Sequence, residues 1–101
     1  MKMGTLSYNR DTGRYDIIDG TGLVVVDGLH CGDVFDVYEA EIHIYAGDQD
    51  RANEADREKR WISARIESDF DDTWFLVIDG EAKLGERDPG DKRLHGLVVR
   101  V

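Results

Sequence analysis

The chain has very little cysteine, proline or long apolar sequence, and each shortage excludes a class of protein. Its 101 residues include one cysteine, Cys31, and one proline, Pro89. A single cysteine cannot form an internal disulfide framework, so a reducing compartment is expected. Apolar runs such as Leu23-Val24-Val25-Val26 fall far short of the ~20 residues that a membrane helix needs. No apolar signal-peptide segment follows Met1, so we expect one soluble, cytoplasmic domain over residues 1–101.

Residues that could hold a metal ion are few and badly spaced. His30 and Cys31 are adjacent, and His43 and His95 stand far from them, so no pair shows the short fixed spacing of a zinc site. The acidic stretches at 48–50 and 69–72 begin like calcium-binding loops but lack the later ligand and the glycine of such loops. We therefore expect no metal site and no cofactor.

Catalytic patterns are also missing. Cys31 beside His30 is the one suggestive nucleophile–base pair, but neighbours in sequence do not supply the hydrogen-bond geometry that the chemistry needs. Cys31 is expected to be a small buried apolar residue. The glycines at 20 and 22 lack the following helix of a phosphate-binding loop. The sequence therefore predicts a protein that is not an enzyme.

Acidic residues are present in excess, and the excess lies in one block. The net charge is −9, and residues 11–50 hold ten acids against a single base, Arg14. The ten are Asp11, Asp16, Asp19, Asp27, Asp33, Asp36, Glu39, Glu41, Asp48 and Asp50. Such a field attracts a basic protein surface and repels a nucleic-acid backbone.

Short apolar segments rich in valine and isoleucine, closed by glycine, aspartate or asparagine, predict β-strands. The predicted strands are residues 3–8, 14–18, 23–26, 34–45, 61–68, 74–78 and 94–101. The strand at 34–45 changes its apolar parity midway, which one bulge would explain. We predict an all-β fold, a small SH3-like barrel or half-open β-roll of five to seven strands. Its predicted core includes Ile66, Leu76, Ile78, Leu97 and Val99.

One segment, residues 47–60, has no β-branched residue and departs from the strand pattern. Asp48 or Asp50 could cap a short helix there, with Arg57, Lys59 and Arg60 suited to its C-terminal end. Only two alanines, at 52 and 55, could face a core, so the segment should pack weakly. It is interpreted as a short helical or irregular excursion: a solvated connection, a partner-facing arm or a dimer contact.

Two groups of carboxylates form the predicted partner-binding site. The first group, along the longest predicted strand, is Asp33, Asp36, Glu39 and Glu41. The second, around the turn between the two tryptophan-bearing strands, is Glu67, Asp69, Asp71 and Asp72. They form either an acidic recognition face for a basic partner or a solubilising surface. Trp61 and Trp74 could instead stack on bases, but phosphate repulsion argues against direct nucleic-acid binding.

Several short motifs spread along the chain resemble a small uncharacterised domain family found in Firmicutes phages and integrative elements. The matching segments are Gly4-Thr-Leu-Ser-Tyr8-Asn9, Gly13-Arg14-Tyr15, Leu29-His-Cys-Gly-Asp33, Trp61-Ile-Ser-Ala-Arg65-Ile66-Glu67, Trp74-Phe-Leu76 and Leu94-His-Gly-Leu97. The stretch at 47–60 and the repeated acids of 33–41 depart from that pattern. The family has no established activity, so the resemblance implies no catalytic residues; its mobile-element setting implies a role in phage–host conflict.

The charge, the missing catalytic patterns and the resemblance lead to one functional hypothesis. The chain is expected to be a stoichiometric, anti-CRISPR-like inhibitor whose acidic surface imitates DNA. It would cover a basic nucleic-acid-binding surface, with a CRISPR effector nuclease as the leading partner. The alternative is an SH3-like adaptor or a nucleic-acid-associated module of a mobile element, with no inhibitory role. The sequence leaves the oligomeric state open.

Overall fold

The computed structural model of the chain describes residues 2–68, 74–78, 82–84 and 94–101. Eight strands and two helices occur within these residues. In chain order they are β1 (Met3–Asn9), β2 (Arg14–Ile18), β3 (Val24–Val26), β4 (Val34–Tyr38), α1 (Glu39–Tyr45), α2 (Gln49–Glu58), β5 (Trp61–Ser68), β6 (Trp74–Ile78), β7 (Ala82–Leu84) and β8 (Val98–Arg100).

All eight strands join one antiparallel sheet in the order β3-β2-β1-β8-β4-β5-β6-β7. The C-terminal strand β8 lies between β1 and β4 and so joins the first hairpin to the β4–β7 meander. The two edge strands, β3 and β7, do not pair with each other in the described part of the chain. The prediction of a half-open β-roll is therefore confirmed, with the three-residue β7 exceeding the predicted strand number by one.

The core lies on one face of the sheet. Alternation along β5 places Ala64 and Ile66 in the core and turns Ser63 and Arg65 to solvent, as the period of a half-buried strand requires. The remaining core side chains come from every part of the roll. They include Leu6, Tyr15, Ile17, Leu29, Phe35, Val37, Leu76, Ile78, Leu94, Leu97 and Val99. All five predicted core residues are buried.

Three hydrogen bonds bring the two sides of the roll together. The connection between β3 and β4 crosses from one side to the other. The N–H of Leu29 donates to the Tyr15 carbonyl, and the N–H of Gly32 donates to the Ile66 carbonyl, each at 2.8 Å. From β6, the indole Nε1 of Trp74 donates to the carbonyl of Gly13 at 2.8 Å. In a closed barrel the two sides would be joined by hydrogen bonds between paired strands. Here these three hydrogen bonds join them instead.

The prediction of one strand over residues 34–45 is wrong after Tyr38, where the chain turns into α1. Ile42 and Tyr45, three residues apart, pack against the core, whereas Ile44 is 53% exposed. That spacing is helical, because a strand would bury Ile42 and Ile44 together. One feature of the sequence is typical of a helix: Glu39 and His43 are four residues apart. In the structure their side chains contact each other at 3.4 Å.

The excursion at 47–60 contains helix α2. Asp48 is its N-cap, and the side chain accepts the backbone N–H of Arg51 at 3.1 Å, as one of the two predicted caps would. Ala52 and Ala55 are buried with Ala40 in a second small cluster, separate from the main core. The helix therefore packs on α1 through small side chains. Neither described helix has the length and apolar character needed to cross a membrane.

The turn between β2 and β3 gives a pH-dependent prediction. The Asp19 carboxylate accepts hydrogen bonds from the Thr21 hydroxyl (2.6 Å) and from the N–H groups of Thr21 and Leu23 (2.9 and 3.1 Å). These bonds, led by that of the hydroxyl, lower the pKa of Asp19 below its ordinary 3.8. The ionised carboxylate therefore stabilises the fold above that ordinary value. This contribution is lost as the pH falls through the lower pKa of the folded state.

Chemical denaturation of the wild type and of Asp19→Asn between pH 7 and pH 3 tests this linkage. The variant should be less stable at pH 7, and the difference should shrink at the acidic end. A difference that stays constant over this range would show that the turn does not depend on the charge of Asp19.

Candidate functional site

The acidic residues predicted to share one strand are divided between three local structures. Asp33 precedes β4, and its carboxylate accepts the backbone N–H of His30 at 2.8 Å. Asp36 lies on β4 itself. Glu39 and Glu41 lie in the first turn of α1. The predicted single row of carboxylates is therefore wrong, because β4 ends at Tyr38. The predicted residues Asp69, Asp71 and Asp72 lie outside the described residues.

Asp36 is held by a base from the C-terminal strand. Its carboxylate accepts from Nε of Arg100 at 2.9 Å, and the two residues face each other across the β4–β8 pair. The Arg100 guanidinium carbon also lies 4.5 Å from the ring centroid of Trp61, a cation–π contact. Carboxylate, guanidinium and indole thus form a stack on the face of the sheet opposite the core, since the neighbouring Phe35 and Val37 are the buried residues of β4.

Glu39 and Glu67 are also paired within the chain. Nε and Nη2 of Arg60 each contact the Glu39 carboxylate at 2.8 Å, and this hydrogen bonding raises the pKa of Arg60 further above its ordinary value. The Glu67 carboxylate lies 2.9 Å from Nε of Arg65. These carboxylates are already neutralised by neighbouring bases, which weakens their attraction for a partner.

Glu41 differs from the other predicted site residues within the described ranges. It is half-buried on α1, and its carboxylate has no ion pair or hydrogen bond among the described residues. A carboxylate without a counter-charge can accept a strong, charge-assisted hydrogen bond from a ligand. Among the predicted site residues that the structure describes, Glu41 is therefore the one most available to a partner.

Two adjoining depressions meet at Tyr38 and Glu41, and together they form what we call the Tyr38 groove. The depression on the sheet side has a volume of about 420 Å³ and the one between the helices about 280 Å³. The first is also lined by Met3, Lys59, Trp61 and Val98. The second is also lined by Ala40, Ile44, Gln49, Ala52, Asn53 and Asp56.

Tyr38 connects the two parts of the groove. Its hydroxyl donates to the Asp56 carboxylate at 2.5 Å, and its ring packs edge-on against Trp61 with the centroids 5.1 Å apart. The hydrogen bond to Asp56 is the largest cause of the raised pKa of Tyr38, because a phenolate would lose this bond and face a carboxylate. The aromatic side chain that fixes α2 to the sheet is thus also a wall of the groove.

A second, separate cleft of about 460 Å³ contains the histidine–cysteine pair. It is lined by Thr12, Gly13, Arg14, His30, Cys31, Ser68 and Trp74. Nη1 of Arg14 lies 2.6 Å from Nδ1 of His30, while the Cys31 thiol lies 3.0 Å from the Ser68 hydroxyl. Cys31 is exposed, which corrects the expectation of a buried apolar residue. The imidazole and the thiol thus contact different partners.

The described residues contain no group of three or more histidine, cysteine, aspartate or glutamate side chains placed to hold a metal ion. Trp61 and Trp74 lie in different depressions, and each is half-buried. The structure therefore does not place the two indoles on a common platform. Of the three depressions formed by described residues, the two that make up the Tyr38 groove combine apolar walls with an unpaired carboxylate, so we regard this groove as the candidate functional site.

Sequence reasoning identified Glu41 and Trp61 but missed Tyr38, Asp56 and the groove itself. Tyr38 and Asp56 are 18 residues apart, and their contact depends on how α2 folds back over α1. The sequence did contain one signal: the alternating strand pattern is interrupted after Tyr38, at the point where the chain leaves β4 and enters α1. The sequence alone did not indicate which side chains this change would bring together.

The comparisons with known proteins cover nearly the whole chain. A family model described as "Domain of unknown function (DUF5348)" matches residues 4–101. The crystal structure of a protein from Ruminococcus gnavus, a structural genomics target, is 32% identical. The match covers 99% of this chain and 100% of that one, with a TM-score of 0.57. No curated protein matches the chain.

Proposed function

We propose a binding function without catalysis for this chain, which belongs to the DUF5348 family of domains of unknown function. Its partner would be a protein with a basic surface, and the complex would be stoichiometric. The acidic block of residues 11–50 would supply long-range attraction, and local shape would supply specificity.

One observation carries this proposal: the only base of the acidic block does not neutralise it. Nη1 of Arg14 is directed at the Leu29 carbonyl and the His30 imidazole, and no carboxylate among the described residues pairs with Arg14. Further carboxylates have no ion pair or hydrogen bond in the described part of the chain. Four of these carboxylates lie within the block and one lies just after it: Asp11, Asp27, Glu41 and Asp50, and then Glu54. Their charge is therefore available to an incoming partner.

Within this function, the finer proposal is inhibition of a nucleic-acid-binding effector. The acidic surface would occupy the Arg/Lys channel that normally receives phosphates, and a CRISPR effector nuclease would be the leading target. The charge of the block and the resemblance to phage-borne domains support this reading. A phage or mobile-element origin and a cytoplasmic location belong to the same proposal.

The test uses carboxylates whose removal leaves the fold intact. Asp36, Glu39 and Glu67 are unsuitable because each has an ion pair in its own chain, and Asp33 holds a turn. The test variant combines Asp11→Asn, Asp27→Ser, Asp50→Ser and Glu54→Gln, which removes four charges from exposed, unpaired positions. A matched control exchanges aspartate and glutamate at the same four sites and keeps the net charge at −9.

Each protein is immobilised and exposed to the heparin-binding fraction of a host lysate, with and without excess double-stranded DNA. We expect the wild type and the charge-preserving control to retain a basic protein that DNA displaces and that rising salt weakens. The four-site variant should retain much less. A partner that DNA does not displace, or that all three proteins retain equally, would contradict the proposal. Direct retention of single-stranded DNA would favour the nucleic-acid-associated alternative.

A further inference from the structure

The Tyr38 groove has exposed apolar side chains on both sides of its unpaired carboxylate. Met3, in the sheet-side depression, is 60% exposed, and Ile44, in the helix-side depression, is 53% exposed. Glu41 lines both depressions and therefore shares one with each of these apolar residues. A carboxylate placed between apolar walls is typical of a site for a cationic side chain with apolar neighbours.

The other charges of the groove are already engaged. The Asp56 carboxylate accepts the Tyr38 hydroxyl, and the Lys59 ammonium lies 3.8 Å from Asp56. Glu41 therefore remains as the charged group of the groove without a partner among the described residues. One bound cation would neutralise it.

The chain itself shows how an arginine is held on this surface. Arg100 stacks on Trp61 and donates to Asp36, so one guanidinium uses an aromatic ring and a carboxylate together. Glu41 and Tyr38 offer the same two chemical groups in the neighbouring depression. Arginine suits such a place better than lysine, because its planar guanidinium stacks on rings and can contact both carboxylate oxygens.

We infer that the Tyr38 groove binds an arginine-bearing apolar segment of a protein partner. The arginine pairs with Glu41, and the flanking apolar side chains cover Met3 and Val98 on one side and Ile44 on the other. This inference rests on the proposed function and adds to it a site and a class of ligand. The acidic block attracts the partner, and the groove holds one segment of it.

Synthetic peptides provide the probe. Three fluorescein-labelled 12-residue peptides are compared by fluorescence anisotropy at 150 mM salt: one of leucine and arginine, one of leucine and glutamine, and one of serine and arginine. We expect the leucine–arginine peptide to bind most tightly. In spectra of ¹⁵N-labelled protein it should shift the backbone amides of Tyr38, Glu41 and Trp61. Equal binding of the serine–arginine peptide, or shifts confined to other residues, would overturn the inference.

Matched variants separate the groove from the general field. Glu41→Gln should weaken the leucine–arginine peptide at least about tenfold, since it removes a charge-assisted hydrogen bond. Asp50→Asn removes the same charge from an exposed site of α2 and should change the affinity less than about twofold. Ile44→Ser should weaken binding several-fold, whereas Leu23→Ser, at a residue 68% exposed and outside the groove, should not.

The outcomes distinguish this inference from the proposed function. Equal, small losses for Glu41→Gln and Asp50→Asn would overturn the groove as the docking site while leaving DNA-displaced capture of a basic partner intact. Peptide binding that depends on Glu41, without any DNA-displaced partner, would support the groove and contradict the nucleic-acid-binding target. Circular dichroism of each variant confirms that the fold is retained.

Discussion

Leu76→Ala should lower the free energy of unfolding by about 2–5 kcal/mol, because it deletes a fully buried side chain and leaves a cavity. Leu76 lies on β6, pairs with Ile66 of β5 and Leu84 of β7, and has no exposed surface. Strands on both sides fix the backbone here, so the surrounding core can collapse only partly into the space. The loss should therefore fall within the usual range for buried leucines.

Urea denaturation followed by tryptophan fluorescence measures the effect of Leu76→Ala. Leu23→Ala is the matched control, because it removes the same atoms from a side chain that is 68% exposed and should change stability by less than about 0.5 kcal/mol. If the two variants lost similar stability, or if Leu76→Ala cost under about 0.5 kcal/mol, β6 would not be a central strand of the core.

Gly4→Ala should also be strongly destabilising, although it adds only one methyl group. A Cβ at Gly4 would overlap the carbonyl oxygen of Ile18 and would lie 2.9 Å from Cγ2 of Ile17. Both neighbours belong to β2, whose pairing with β1 fixes their positions. Backbone atoms cannot move aside without breaking that ladder, so we expect a loss of about 1–3 kcal/mol or more.

Gly20→Ala is the control for this substitution. A Cβ at Gly20 would meet no atom within 4 Å, and the exposed turn can accept the added methyl group. Its effect should be near zero or slightly stabilising, because alanine restricts the unfolded chain more than glycine does. Thermal unfolding of both variants followed by circular dichroism checks the contrast. If the Gly4→Ala protein had the same melting temperature as the wild type, β1 and β2 would not be as close together as the structure places them.

Three strands, β2, β5 and β6, were predictable because their evidence is local, whereas the strand predicted over residues 94–101 is limited to β8 at Val98–Arg100. β5 and β6 begin and end where their apolar patterns begin and end, and β2 has the predicted bounds as well. The N-cap of α2 was predictable for the same reason, since Asp48 bonds within its own helix. Helix α1 was missed because Ile42 and Ile44 alternate like strand residues. The packing of Ile42 and Tyr45 on the core distinguishes the two structures.

The candidate site was less predictable because it depends on contacts between distant residues. Asp36 meets Arg100 across 64 positions of sequence. The four carboxylates between residues 33 and 41 are equivalent by sequence. In the structure, Asp36 and Glu39 each form an ion pair with an arginine, and Asp33 accepts a hydrogen bond within a turn. Of these four, Glu41 alone has no partner in the described part of the chain. Sequence showed the amount of negative charge, but only the fold showed where that charge stays available.

The open edge of the sheet gives the negative charge a further consequence. Within the described residues β3 pairs only with β2, so its other side is a template on which a strand of a second molecule could add. Val24 and the preceding Leu23 are exposed there, while Asp19 and Asp27 stand on either side of the strand. Like charges on two approaching edges repel each other, so these carboxylates act as gatekeepers against aggregation. Near the isoelectric point of about 4.6 the net charge that keeps whole molecules apart falls to zero, so strand-to-strand association at this edge should become easier.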